Sequence, residues 1–122
     1  MSRSSVEAMT ATELVARFVA IGLAQSLALD RFDSRDFNAH VEELIAVTEA
    51  LKRRESDRRS LVALLDHVDL QVRLNAAKAT LATSRKRAIR ALGEIAATRR
   101  MPQAADAAGC LWNLETGVFR PT

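Results

Sequence analysis

Leu61-Val-Ala-Leu-Leu-Asp-His-Val-Asp-Leu-Gln-Val-Arg-Leu-Asn-Ala-Ala-Lys-Ala-Thr-Leu81 is the stretch from which the fold is read. Leu61, Leu64 and Leu65 recur at helical spacing and stop at Asp66-His67. Asp69 then stands where a helix N-cap stands, and Val72, Ala76, Ala79 and Leu81 supply the apolar positions of a second helix. The unit is a short apolar helix, a tight turn and an alanine-rich helix. A shift of 31 residues lays 57–82 over 88–113. Arg59 then meets Arg90, Leu61 meets Leu92, Leu64 meets Ile95, Ala76-Ala77 meets Ala107-Ala108, and Ala79 meets Cys110. Small residues in the second helix of each copy let the next pair pack closely, which is the logic of an α-solenoid.

Working outward, Thr10 followed three residues later by Glu13 reads as a capping box. The first helix then runs to about Leu29, with Leu14, Phe18, Ile21 and Gln25 on one face and Val15, Val19, Leu23 and Leu27 beside it. Gln25 reads as a hydrogen-bonded core amide. Asp33 or Ser34 caps a second helix to about Arg54, whose seam is Phe37, Val41, Leu44, Thr48 and Leu51, flanked by Ile45 and Val47. Ser56 or Asp57 opens the third helix, Asp69 the fourth and Ser84 the fifth, which uses Ala88, Ile89, Leu92, Ile95 and Ala96. Pro102 suits the first turn of the sixth, with Ala105, Ala108, Leu111, Trp112 and Leu114 as its apolar positions and Gly117 as the C-cap. The expectation is an all-α chain: an α-α superhelix of about six helices in three pairs, one domain over 1–122, with a flexible 1–9 and an extended tail at 118–122.

Composition agrees. In 122 residues there are four glycines, two prolines and no tyrosine, and alanine and leucine dominate, which favours helix over strand. The lone Cys110 excludes an internal disulfide and fits a reducing, cytoplasmic setting. Arg17 and Gln25 interrupt the apolar stretch 14–29, making it a poor membrane span, and Glu7 and Glu13 stand where a signal peptide wants positive charge. Residues 1–60 carry nine Lys/Arg against ten Asp/Glu, and residues 61–122 nine against five, so the second half is basic.

Leu64-Leu65-Asp66, Val72-Arg73 and Ala76-Ala77 together resemble a HEAT repeat. In that family an aspartate at the inter-helix turn and an arginine early in the second helix bond along the stack, so the resemblance implies structural roles for Asp66 and Arg73. The following copy has Ala97 and Ala104 in those places. With Gln71 to Ala79, Pro102 to Ala107 and Leu114 to Phe119, nearly the whole chain resembles a small bacterial family of HEAT/armadillo-like helical-repeat proteins, a domain of unknown function. That resemblance implies a fold rather than an activity, with a toxin-neutralising partner protein as one alternative role.

The chemistry that can be set aside is broad. His40, His67 and Cys110 do not form a metal-ligand pattern, the four glycines are dispersed and make no phosphate loop, and the adjacent Glu42 and Glu43 point apart on a helix. Cys110 reads as buried filler and His67 as a cap or surface residue. No catalytic residue, cofactor or metal is expected. The expected function is that of a non-enzymatic module, monomer or weak dimer, binding another protein on the face of its second helices. Those residues are Asn38, Glu42 and Glu49; Gln71, Asn75 and Lys78; and Gln103, Asp106 and Asn113. Gln71, Asn75, Lys78, Gln103 and Asp106 are the central row. The alternative is a weak, sequence-indifferent nucleic-acid module using Arg85, Lys86, Arg87 and Arg90, with Arg99 and Arg100. The missing aromatic platforms count against single-strand binding.

Overall fold

The computed structural model describes residues 3–54 and 58–122. Among them are seven helical elements and no strand. These are α1 (Arg3–Glu7), α2 (Ala11–Asp30), α3 (Ser34–Arg53), a 3₁₀ helix (Arg59–Asp66), α4 (Leu70–Thr80), α5 (Arg85–Ala97) and α6 (Gln103–Glu115). The chain divides into two compact units, Met1–Leu61 and Val62–Thr122. The expected caps at Ser56 or Asp57 lie outside the described residues.

In the first unit α2 packs on α3. The Thr10 side chain accepts from the Glu13 N–H while the Glu13 carboxylate accepts from the Thr10 N–H, which satisfies two otherwise orphaned donors. Leu14, Phe18, Ile21 and Gln25 form the buried face, as expected, and Gln25 has a polar or ring interaction there. At the far end Phe32 takes a left-handed conformation (φ 54°), with Phe32 N–H donating to Leu29 and Asp33 N–H to Ala28. This closes the last turn in the manner usually given to glycine. Asp33 then caps α3 by accepting from the Asp36 N–H.

Two expectations for this unit change. The core residues of α3 are Val47, Ala50 and Leu51, while Phe37, Val41 and Leu44 are only half-buried. One reason is polar: Arg17 on α2 meets Glu43 at the middle of α3 at 2.6 Å, so a charged contact occupies part of the helix pair beside Leu44. Residues 1–9, expected to be loose, contain α1, which contacts α3 and buries Val6. Arg54 donates to the carbonyls of Glu7 and Met9, both at 2.7 Å, and Arg53 pairs with Glu7 at 2.9 Å. The basic end of α3 therefore holds the carbonyl end of α1, a role that dipole complementarity alone does not reveal.

In the second unit α5 contacts both α4 and α6, and α4 touches α6 directly. Before it, the segment expected to be a short α-helix is 3₁₀, with Leu61 and Leu65 buried. Asp69 caps α4 by accepting from the Val72 N–H at 2.9 Å, and the Asp69 N–H donates to His67 Nδ1 at 2.9 Å, so His67 holds the turn. α4 is buried along most of its length, and Ala76, Ala77, Ala88, Ala91, Ala104 and Ala107 give the three helices small contact surfaces. Ser84 precedes α5 but its side chain makes no capping bond. Gly117 (φ 79°) ends α6, and the tail turns back so that Phe119 N–H donates to the Asn113 carbonyl at 3.0 Å.

Candidate functional site

The expected row on the second helices divides. Lys78 and Asp106 are exposed and meet at 2.6 Å, joining α4 to α6. Gln71, Asn75 and Gln103, expected to face away from the core, are buried. Gln71 Nε2 donates to Asn75 Oδ1 at 3.0 Å, one turn apart on α4. Amides suit this buried position because each donates and accepts, so two of them can satisfy one another where water is excluded. Asn38, Glu42, Glu49 and Asn113 are exposed, as expected.

Lys78 and Asp106 line an open cleft of about 410 Å³ with Gly109, Cys110, Asn113 and Phe119. Burial pushes the Cys110 thiol up from its ordinary range. The Lys78 ammonium lowers it and the Asp106 carboxylate raises it, the net shift being upward. The thiol stays protonated near neutral pH, so Cys110 supplies an apolar wall rather than a thiolate nucleophile. A Cβ at Gly109 would meet nothing within 4 Å, so packing does not require glycine there and any side chain would enter open space.

Beside the cleft, α6 departs most from its expected orientation. Ala104, Ala107 and Cys110 are buried, whereas Ala105, Ala108 and Trp112 are exposed. Trp112, expected in the core, is 65% exposed. With Gly109 the exposed residues form an uncharged row at i, i+3, i+4 and i+7. Trp112, Gly109 and Phe119 are thus surface or cleft residues that the sequence reading did not place there. Trp112 offered one signal, an indole N–H that a dry core would have to satisfy.

The other candidates fall elsewhere. Asp66 is exposed, and neither it nor the Arg73 side chain makes a hydrogen bond or ion pair with a described residue; Arg73 Nε is buried without a partner. Among the described residues the bonds expected along the stack are not formed, and His67 with Asp69 organises the turn. Arg85, Lys86 and Arg87 lie exposed in the first turn of α5, and Arg90 approaches Glu94 at 3.5 Å. No cluster of three or more metal-ligating side chains occurs among the described residues.

These features define a small all-helical protein with an aromatic-bearing open helix face. The chain belongs to the family described as a domain of unknown function (DUF2019), whose model matches residues 12–115. It is similar to the protein RPA1889 from Rhodopseudomonas palustris CGA009, known from a crystal structure, at 36% sequence identity and a TM-score of 0.90. The similarity covers 96% of this chain and 98% of that one. No curated protein matches the chain.

Proposed function

We propose that this chain is a HEAT-like helical-repeat module without enzymatic activity that binds another protein through the exposed face of α6 and the adjoining cleft. The repeat reading is supported by burial at three pairs offset by 31, Leu61 and Leu92, Ala76 and Ala107, and Ala79 and Cys110, while the pair Ala77 and Ala108 differs, the first buried and the second exposed. The observation that carries the binding reading is the row Ala105, Ala108, Gly109 and Trp112. An exposed tryptophan beside a shelf of small residues offers a large anchor and a flat seat, and tryptophan is prominent among residues that dominate binding energy. The Lys78–Asp106 pair and Asn113 would give that seat a polar edge. The expected row survives in this reading only at Lys78 and Asp106, with Gln71, Asn75 and Gln103 supporting the helices from within.

The test is affinity capture from a lysate of the native cell with mass spectrometry, using wild type, Trp112→Ala and Arg85→Glu. A partner retained by wild type and Arg85→Glu but lost by Trp112→Ala supports the α6 face. Retention by Trp112→Ala and loss by Arg85→Glu overturns it in favour of the basic edge. One observation favours that second reading: the first turn of α5 lacks a side-chain cap and carries Arg85, Lys86 and Arg87, all exposed. Phosphate contacts there would be weak, salt-sensitive and indifferent to sequence. A toxin among the captured proteins would favour the neutralising role.

A further inference from the structure

We infer that the outer face of α2 is a self-association surface on which a second copy of this chain docks antiparallel, helix against helix. Residues 18–29 of this helix carry no charged side chain, yet only one side is covered. The outer side presents Ala16, Ala20, Leu23 and Leu27, with the two leucines 45% and 48% exposed. Their spacings of four, three and four place them in one row.

The order within the row selects the occupant. Two small residues come first and two large ones last, at spacings that read the same in either direction. An antiparallel copy therefore sets Leu27 opposite Ala16 and Leu23 opposite Ala20, and the same pairs recur through the two-fold axis. Each leucine faces a recess. A parallel copy would place leucine against leucine and alanine against alanine, leaving voids at one end and crowding at the other. The ends agree as well. Glu13 and Arg31 are both exposed and lie 18 residues apart, five helical turns, on one flank of the row. In the antiparallel arrangement the Glu13 of each copy comes beside the Arg31 of the other, giving two opposite-charge contacts related by symmetry. An isologous interface needs such a self-complementary patch.

The size of the patch sets the strength. A helix of this length is about 30 Å long and about 10 Å wide, so the face covers roughly 300 Å² per copy. A stable interface buries at least about 1,000 Å² in total, so the dimer is weak and depends on concentration.

Sedimentation equilibrium over protein concentrations from about 10 µM to about 1 mM tests the proposal, a range suited to a weak interface. The expected result is a monomer–dimer equilibrium whose association constant falls at least tenfold in Leu23→Asp/Leu27→Asp, with helical content retained. Should that variant unfold, Ala20→Lys blocks the recess from an exposed helical position and must give the same loss. Register is read by oxidative crosslinking in a Cys110→Ala background. Ala16→Cys/Leu27→Cys forms a covalent dimer, and Ala16→Cys alone does not. A wild type that stays monomeric throughout overturns the proposal, as does a dimer untouched by the α2 variants or efficient crosslinking by Ala16→Cys alone. By length and composition alone α2 could also cross a membrane. A monomeric wild type that binds phosphatidylcholine vesicles through Leu23 and Leu27 would therefore assign the face to lipid and overturn self-association.

Discussion

α2 and α6 pose the same problem and answer it differently. Both carry apolar residues around most of their circumference, so periodicity alone leaves the choice of buried side open. In α2 the largest side chain decides. Phe18 lies on the covered side with Leu14 and Ile21, while the opposite side has Ala16 and Ala20 followed by Leu23 and Leu27. In α6 the small residues are on both sides, and the one large aromatic is outside. A helix that must sit close to two neighbours turns its alanines inward and leaves its tryptophan out. Close approach of helices, rather than side-chain volume, sets the inward face there.

The strongest challenge to this contrast is a pair of truncations. Phe18→Ala should cost about 3–5 kcal/mol, because it opens a cavity in a fully buried site. Trp112→Ala should stay within about 0.5 kcal/mol, as substitutions on an open surface do. Thermal or urea unfolding measures both. Similar losses at the two positions would return Trp112 to the core.

The buried amides sharpen it next. Asn75→Ala leaves Gln71 Nε2 without its acceptor, so a loss of about 1–3 kcal/mol is expected. Charge reversal at Lys78 combined with Asn75→Ala is therefore expected to lower the melting temperature, whereas an exposed amide row would leave it nearly unchanged. Gly109→Ala acts in the opposite direction. Helix propensity should add about 0.5–1 kcal/mol because nothing opposes the new methyl. A gain in stability together with weaker partner binding would mark Gly109 as a residue kept for the cleft. Gly93→Ala, at a second open helical glycine, should gain stability alone.

The smallest effect concerns the charged contact between α2 and α3. Burial raises the Glu43 carboxyl, but the hydrogen bond and charge of Arg17, with the charge of His40, outweigh it and hold the group below its ordinary range. A lowered carboxylate contributes stability above its unfolded pKa and loses it as the pH falls through the folded value. Arg17→Ala should cost at most about 1 kcal/mol at neutral pH for this half-exposed pair. The gap between variant and wild-type melting should close as the pH drops below about 4.3. A gap that persists in acid would mean Arg17 acts by packing alone.

What could be read from the sequence follows from which interactions are local. The Thr10–Glu13 box, the Asp33 and Asp69 caps and the Gly117 turn each involve residues a few positions apart, so type and spacing specify them. The buried face of α2 was legible because Leu14, Phe18, Ile21 and Gln25 recur on one side at helical spacing, with Ala16 and Ala20 opposite the first turns. The cleft was not legible beyond Lys78, Asp106 and Asn113. Phe119 reaches it only because the tail folds back, and Trp112 lies outside because three alanine-rich helices crowd together. The place of Trp112 is a consequence of long-range packing that no local pattern encodes, whereas the Gly117 turn is local but does not by itself say that Phe119 meets a cleft. The grip of Arg54 on Glu7 and Met9 spans 47 and 45 residues and was equally hidden.

That grip bears on where the domain should be cut. The family match begins at residue 12, after α1 has ended. A protein expressed from that boundary would lack Val6, which lies in the core, and would remove both carbonyls that Arg54 bonds. It would also shift the start to inside the capping box, removing Thr10 while keeping Glu13. The stretch from α1 to Thr10 is thus part of the folded unit, and expression boundaries or linkers for partner capture belong ahead of α1.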